Sequence, residues 1–82
     1  MAKSSFKENV APKKGDYVIF KEIPKLLKGN ITPEYAYHVQ DTRKGESLIL
    51  EDHDLEQWIS NEILRICPPT EIEWRTNYAN FK

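Results

Sequence analysis

With one cysteine, three glycines and no long apolar run in 82 residues, the chain lacks most of the devices that staple or anchor small proteins. Cys67 has no second cysteine to pair with, so an internal disulfide is excluded, and a lone cysteine makes no zinc site by itself. Gly15, Gly29 and Gly45 stand far apart, which excludes a glycine-rich phosphate loop. No apolar stretch approaches the roughly 20 residues that span a bilayer. The opening residues 1–16 carry no apolar core of the signal-peptide kind. The expectation is a cytoplasmic protein, with a peripheral seat on a membrane complex as the alternative. Net charge is also missing. At −1 overall, the chain as a whole is no polyanion binder.

The residues that are present suit one folded domain. Hydrophobic residues make up 39% and charged residues 30%, a globular rather than a disordered balance. A domain of this length buries only about 60% of the surface its unfolded chain exposes, so the core is thin and rests on packing alone. The charge is unevenly placed. Residues 1–44 hold nine Lys or Arg against five Asp or Glu, a balance of +4, and residues 45–82 hold three against eight, a balance of −5. From Gly45 to Leu64 there is no Lys or Arg, while Glu46, Glu51, Asp52, Asp54, Glu56 and Glu62 are acidic. Such a run reads either as a solvated face or as a surface that meets a basic partner.

Residues 1–13 are polar and aperiodic and predict a flexible N-terminal arm. Asp16 to Glu22 follows a glycine and is rich in β-branched and aromatic residues, which predicts a strand with Val18 and Phe20 on one face and Tyr17 and Ile19 on the other. Ile23 to Pro33 reads as an irregular connection, with Leu26 and Leu27 in one turn that packs on the domain edge. A second strand is expected over Glu34 to Arg43, with Tyr35, Tyr37 and Val39 opposite Ala36, His38 and Gln40. Arg43-Lys44-Gly45-Glu46 then forms a hairpin turn that needs positive φ at the glycine. Ser47 to Asp52 reads as the third strand, Leu55 to Ile59 as the fourth and Ile63 to Cys67 as the fifth, with a tight turn over Ser60-Asn61-Glu62. One continuous helix over residues 54–66 is the alternative, since Leu55, Trp58, Ile59, Ile63 and Ile66 also recur at helical spacing. Thr70-Glu71-Ile72-Glu73 matches a capping box, and Trp74, Tyr78 and Phe81 lie on one face of the short C-terminal helix it predicts over residues 70–82.

The opening Lys13-Lys14-Gly15-Asp16-Tyr17-Val18-Ile19-Phe20 and the ending from Trp58 to Ile66 resemble the SH3-like small barrels. Accessory subunits of photosynthetic complexes with this barrel are similar in opening and ending, among them small subunits of photosystem I and of the photosynthetic NDH complex. KOW- and Tudor-type domains share the architecture. The resemblance implies a mainly β fold, a five-stranded SH3-like barrel over residues 14–69 followed by the helix. Val18, Phe20, Val39, Leu48, Leu50, Leu64 and Ile66 are the expected core, with Trp58 at its edge.

No constellation points to catalysis. Cys67 sits in an apolar strand beside two prolines and reads as a small buried thiol. Glu51-Asp52-His53-Asp54 resembles no metal-binding spacing, and contiguous strand residues point to alternate sides. His38 reads as structural. No catalytic, cofactor or metal residues are therefore expected, and no cofactor. The expected function is a non-catalytic accessory or adaptor protein. It would bind a larger protein or complex through Trp74, Tyr78 and Phe81 or through Glu51, Asp52, Asp54 and Glu56. The alternatives are a nucleic-acid-binding barrel using Lys13, Lys14, Lys21, Lys25 and Lys28, and a phage-type inhibitor whose acidic surface mimics nucleic acid.

Overall fold

Strand β1 (Tyr17–Phe20) pairs on both sides, with β2 (Tyr37–His38) and with β6 (Leu64–Ile66), to make a three-stranded antiparallel sheet of order β2-β1-β6. The structure, a computed structural model, describes residues 11–77, the side chain of Asn77 excepted. A second antiparallel sheet of order β3-β4-β5 is built from β3 (Asp41–Arg43), β4 (Glu46–Leu50) and β5 (Glu56–Ser60). Helix α1 (Pro69–Asn77) ends the described chain. The fold is thus mainly β with a short C-terminal helix. Among the described residues no helix is long and apolar enough to cross a membrane.

Two expectations about strands are corrected. There are six strands rather than five among the described residues, because Glu34 to Arg43 forms two strands in different sheets. The transfer occurs at two consecutive amides. The Val39 N–H donates to the Asp16 carbonyl at 2.8 Å, beside the first sheet, and the Gln40 N–H donates to the Leu48 carbonyl at 2.8 Å, in the second. Nor do the sheets close into a barrel, since each ladder is separate. Strands of two to five residues are too short to carry a staggered ladder around a full circuit. Residues 54–66 form strand, turn and strand, not a helix. A 3₁₀ turn over Asn61–Ile63 links β5 to β6, and its entry is capped by the Ser60 hydroxyl, which accepts from the Glu62 N–H at 3.2 Å.

The core between the sheets consists of Val18, Phe20, Ile31, Tyr37, Val39, Ile49, Ile59 and Leu64. On β1 and β2 the alternation falls as expected. On β4 it is reversed, because Ile49 rather than Leu48 and Leu50 faces inward. The reason is Ser47, which is fully buried on the same face as Ile49. Its hydroxyl donates to Asn61 Oδ1 at 2.6 Å, which satisfies a polar group inside the core. Leu48 is buried on the opposite face, with Trp58 as its cross-strand neighbour, and Leu50 and Ile66 are only half-buried. Of the two leucines expected to pack on the domain edge, Leu27 packs against the core, but Leu26 of the same 3₁₀ turn is 93% exposed.

Helix α1 covers the outer face of the first sheet. Ile72 packs against Ile19, Ala36 and Cys67 beside Tyr17. The helix begins at Pro69, one residue before the expected cap, so Thr70 lies inside its first turn and the capping box does not apply. Proline suits that first position because its missing N–H would have no helical acceptor. Arg75 then ties the helix down, with Nε donating to Glu71 Oε1 at 2.6 Å and Nη1 donating to Glu34 Oε1 at 2.7 Å and to the Glu34 carbonyl at 3.1 Å.

Candidate functional site

The most constructed surface lies where the β4–β5 hairpin meets the connection before β2. The Glu51 N–H donates to the Leu55 carbonyl at 2.9 Å and the Asp54 N–H donates to the Glu51 carbonyl at 2.8 Å, which closes a three-residue loop. Such loops place their last residue in the left-handed region, and Asp54 has φ 67°. Aspartate tolerates that backbone better than most side chains. Glu51 holds the loop from inside. Its Oε1 accepts from the His53 N–H at 2.5 Å and from the Leu55 N–H at 3.4 Å, and its side chain is 1% exposed. Its Oε2 is buried and has no hydrogen-bond partner among the described residues.

Asp52 anchors the same loop to the opposite wall. Its N–H donates to the Asn30 carbonyl at 2.8 Å. Its Oδ1 accepts from the Tyr37 hydroxyl at 2.5 Å and its Oδ2 from the Thr32 hydroxyl at 2.7 Å. The Tyr37 oxygen in turn accepts from the Thr32 N–H at 2.7 Å. Burial, reinforced by the hydrogen bond to Asp52, pushes the Tyr37 phenol well above its ordinary range. The phenol therefore acts as a fixed donor, not as an acid.

These groups wall an open groove of about 590 Å³. Glu51, Asp52 and Asp54 of the β4–β5 loop line it together with Tyr35, Tyr37 and His38 and with Thr76 of α1. The aromatic rings support one another edge to face: Tyr35 on Tyr37 with centroids 4.9 Å apart, and Tyr17 on His38 at 5.1 Å. His38 Nδ1 lies 3.0 Å from Gln40 Nε2. No lysine or arginine lines the groove among the described residues.

The structure gathers part of the sequence-derived surface and separates the rest. Asp52 and Asp54 lie in the groove, and Glu51 joins them, but as a buried loop support and not as a surface charge. Glu56 is exposed on β5 and does not line the groove. Trp74 is 49% exposed and stacks under the Arg75 guanidinium, 4.2 Å from its ring centroid, while Ile72 makes the inward contact. Tyr78 and Phe81 lie outside the described residues, as do the first ten residues of the expected N-terminal arm. Lys13, Lys14, Lys21, Lys25 and Lys28 are all exposed. The network joining Thr32, Tyr37 and Asp52 was missed in the sequence, because its partners are up to 20 residues apart and meet only in the tertiary structure. Arg75 and Glu34, separated by 41 residues, escaped notice for the same reason.

The Cys67 thiol is buried against the helix and approaches the Pro68 carbonyl at 3.5 Å, not an imidazole. Burial, with the charge of Glu71, pushes it up, which suits an inert thiol. Among the described residues no three His, Cys, Asp or Glu side chains converge to hold a metal ion. Comparison with protein-family models, with curated proteins and with solved structures found no match.

Proposed function

We propose that this chain is a non-catalytic accessory or adaptor protein that binds a larger protein or protein complex through the groove between the β4–β5 loop and β2. The observation that carries the reading is the groove itself, where carboxylates and aromatic edges are held rigidly by the Tyr37–Asp52 and Glu51 hydrogen bonds. A rigid surface with aromatic groups loses little entropy on docking, and preorganisation favours affinity. The exposed Glu56 and the Trp74–Arg75 stack are further polar and aromatic surface outside the groove. The strand–3₁₀ turn–strand finish supports kinship with the SH3-like proteins, in an opened form with two separate sheets.

Affinity capture from the native host with the full chain tests the reading. A partner held by the wild type and lost by a folded His38→Ala, Asp54→Asn double variant is the expected result. A partner held equally by both would move the interface away from the groove. Capture of nucleic acid instead, weakened steeply by salt, would favour the lysine-bearing surface. Competition between nucleic acid and the chain for one captured protein would favour the inhibitor reading.

A further inference from the structure

The groove has a chemistry that selects its occupant. The chain holds 12 basic and 13 acidic residues, yet the groove is lined by three carboxylates and by no lysine or arginine among the described residues. The cations of the second sheet and of the helix are engaged elsewhere: Arg43 with Glu46 and over the Trp58 ring, Arg75 with Glu34 and Glu71. Glu51 adds an independent sign. It lines the groove, its side chain is 99% buried, and one of its oxygens has no hydrogen-bond partner among the described residues. A buried acceptor left without a donor is costly and is relieved by a ligand that brings one.

We propose that the groove takes a cationic side chain, lysine or arginine, of a partner polypeptide, set against the carboxylates of the β4–β5 loop beside the Tyr35 ring. The proposal rests on the reading of the groove as the partner-docking surface and adds the class of residue that enters it. Carboxylates attract the charge, and a tyrosine ring is a favourable neighbour for an ammonium or guanidinium group. A metal ion fits less well. Both Asp52 oxygens already accept from hydroxyls, and among the described residues no three metal-binding side chains converge. Anionic occupants meet the like charges of Asp52 and Asp54.

The test uses the full, isotopically labelled chain and three capped pentapeptides, glycine throughout except for a central arginine, lysine or norleucine. The arginine and lysine peptides are expected to shift the amide signals of residues 35–38 and 51–54, and the norleucine peptide to leave them in place. Asp54→Asn keeps a side chain that tolerates the left-handed backbone and removes one charge. It should weaken binding of the charged peptides roughly two- to five-fold at low salt, with the difference shrinking as salt rises. Equal shifts from the norleucine peptide, shifts confined to another surface, or unchanged affinity in Asp54→Asn would overturn the proposal. A captured partner that depends on the groove, with no response to the charged peptides, would refute the cation while leaving the docking surface intact. A partner indifferent to groove variants would refute the docking surface itself.

Discussion

The Tyr37 hydroxyl donates to Asp52 Oδ1 across 15 residues of sequence, and through it the inner face of β2 is tied to the β4–β5 loop. The bond joins the two sheets at a point where no ladder connects them. Because Tyr37 also belongs to the core cluster, the same residue supplies apolar burial and fixes the groove's carboxylate. Core packing and site geometry are therefore coupled through one side chain.

Tyr37→Phe keeps the ring and removes this tie. Asp52 loses one of its two hydroxyl donors, and the Thr32 N–H loses the phenol oxygen that it meets at 2.7 Å. Leaving such groups short of partners costs about 1–3 kcal/mol. Urea denaturation should show a lower midpoint at an unchanged slope, since the core volume is hardly altered. A midpoint equal to that of the wild type would show that the hydroxyl network adds nothing to stability.

The same pair dictates a pH dependence on the alkaline side. Burial and the Asp52 hydrogen bond raise the folded-state pKa of Tyr37, whereas in the unfolded chain a phenol titrates near 10. The neutral form is the one the fold favours. Its contribution is complete below about pH 10 and is lost as pH rises toward the folded-state value. In that window the unfolded chain binds fewer protons than the folded one, so stability must fall with pH. The wild type should lose stability relative to Tyr37→Phe above about pH 10, with a limiting slope of ~1.4 kcal/mol per pH unit. Parallel denaturation curves for the two proteins from pH 8 to 11 measure it, and parallel declines would remove Tyr37 as the cause.

Core substitutions on β4 distinguish its two faces. Ile49 is fully buried in the core, while Leu50 is half-buried at the groove. Ile49→Ala should cost ~2–5 kcal/mol, enough to unfold a domain of marginal stability. Leu50→Ala should cost ~1 kcal/mol, since less of its surface leaves water on folding. Thermal melts of the two variants decide the order, and a larger loss at Leu50 would restore the face suggested by the leucines alone.

Local patterns carried much of the architecture. The β-branched run at Tyr17–Phe20, the glycine turn at Gly45 (φ 76°) and the strand–turn–strand finish over residues 56–66 follow from neighbours in sequence. What failed depended on distant partners. Ser47 occupies a core position that alternation assigns to an apolar residue, and only Asn61, 14 residues on, makes that tolerable. The bend at Val39-Gln40 has no glycine or proline to announce it and is set by which carbonyls, Asp16 and Leu48, the two amides meet. In the site, Asp52 and Asp54 were legible as acidic residues beside a turn. The burial of Glu51 was not, because it depends on two backbone amides of its own loop turning toward the side chain.

Arg75 provides the last test, of how the helix is held. Its guanidinium bridges Glu71 on the helix to Glu34 on the turn before β2, where Glu34 has φ 68°, and the Glu71 hydrogen bond raises its affinity for its proton further. Beneath the helix lies Cys67, 2% exposed. Arg75→Ala leaves Ile72 as the main contact and should let the helix open locally without unfolding the sheets. The thiol then becomes accessible, and labelling by a thiol reagent under native conditions should quicken about ten-fold, equivalent to ~1.4 kcal/mol of lost local stability. Arg75→Lys should recover only part of the protection, because an ammonium cannot match the guanidinium's planar fork toward two carboxylates. Labelling as slow in Arg75→Ala as in the wild type would mean that apolar contact alone docks the helix, and that the Glu34 and Glu71 bridges follow from its position without creating it.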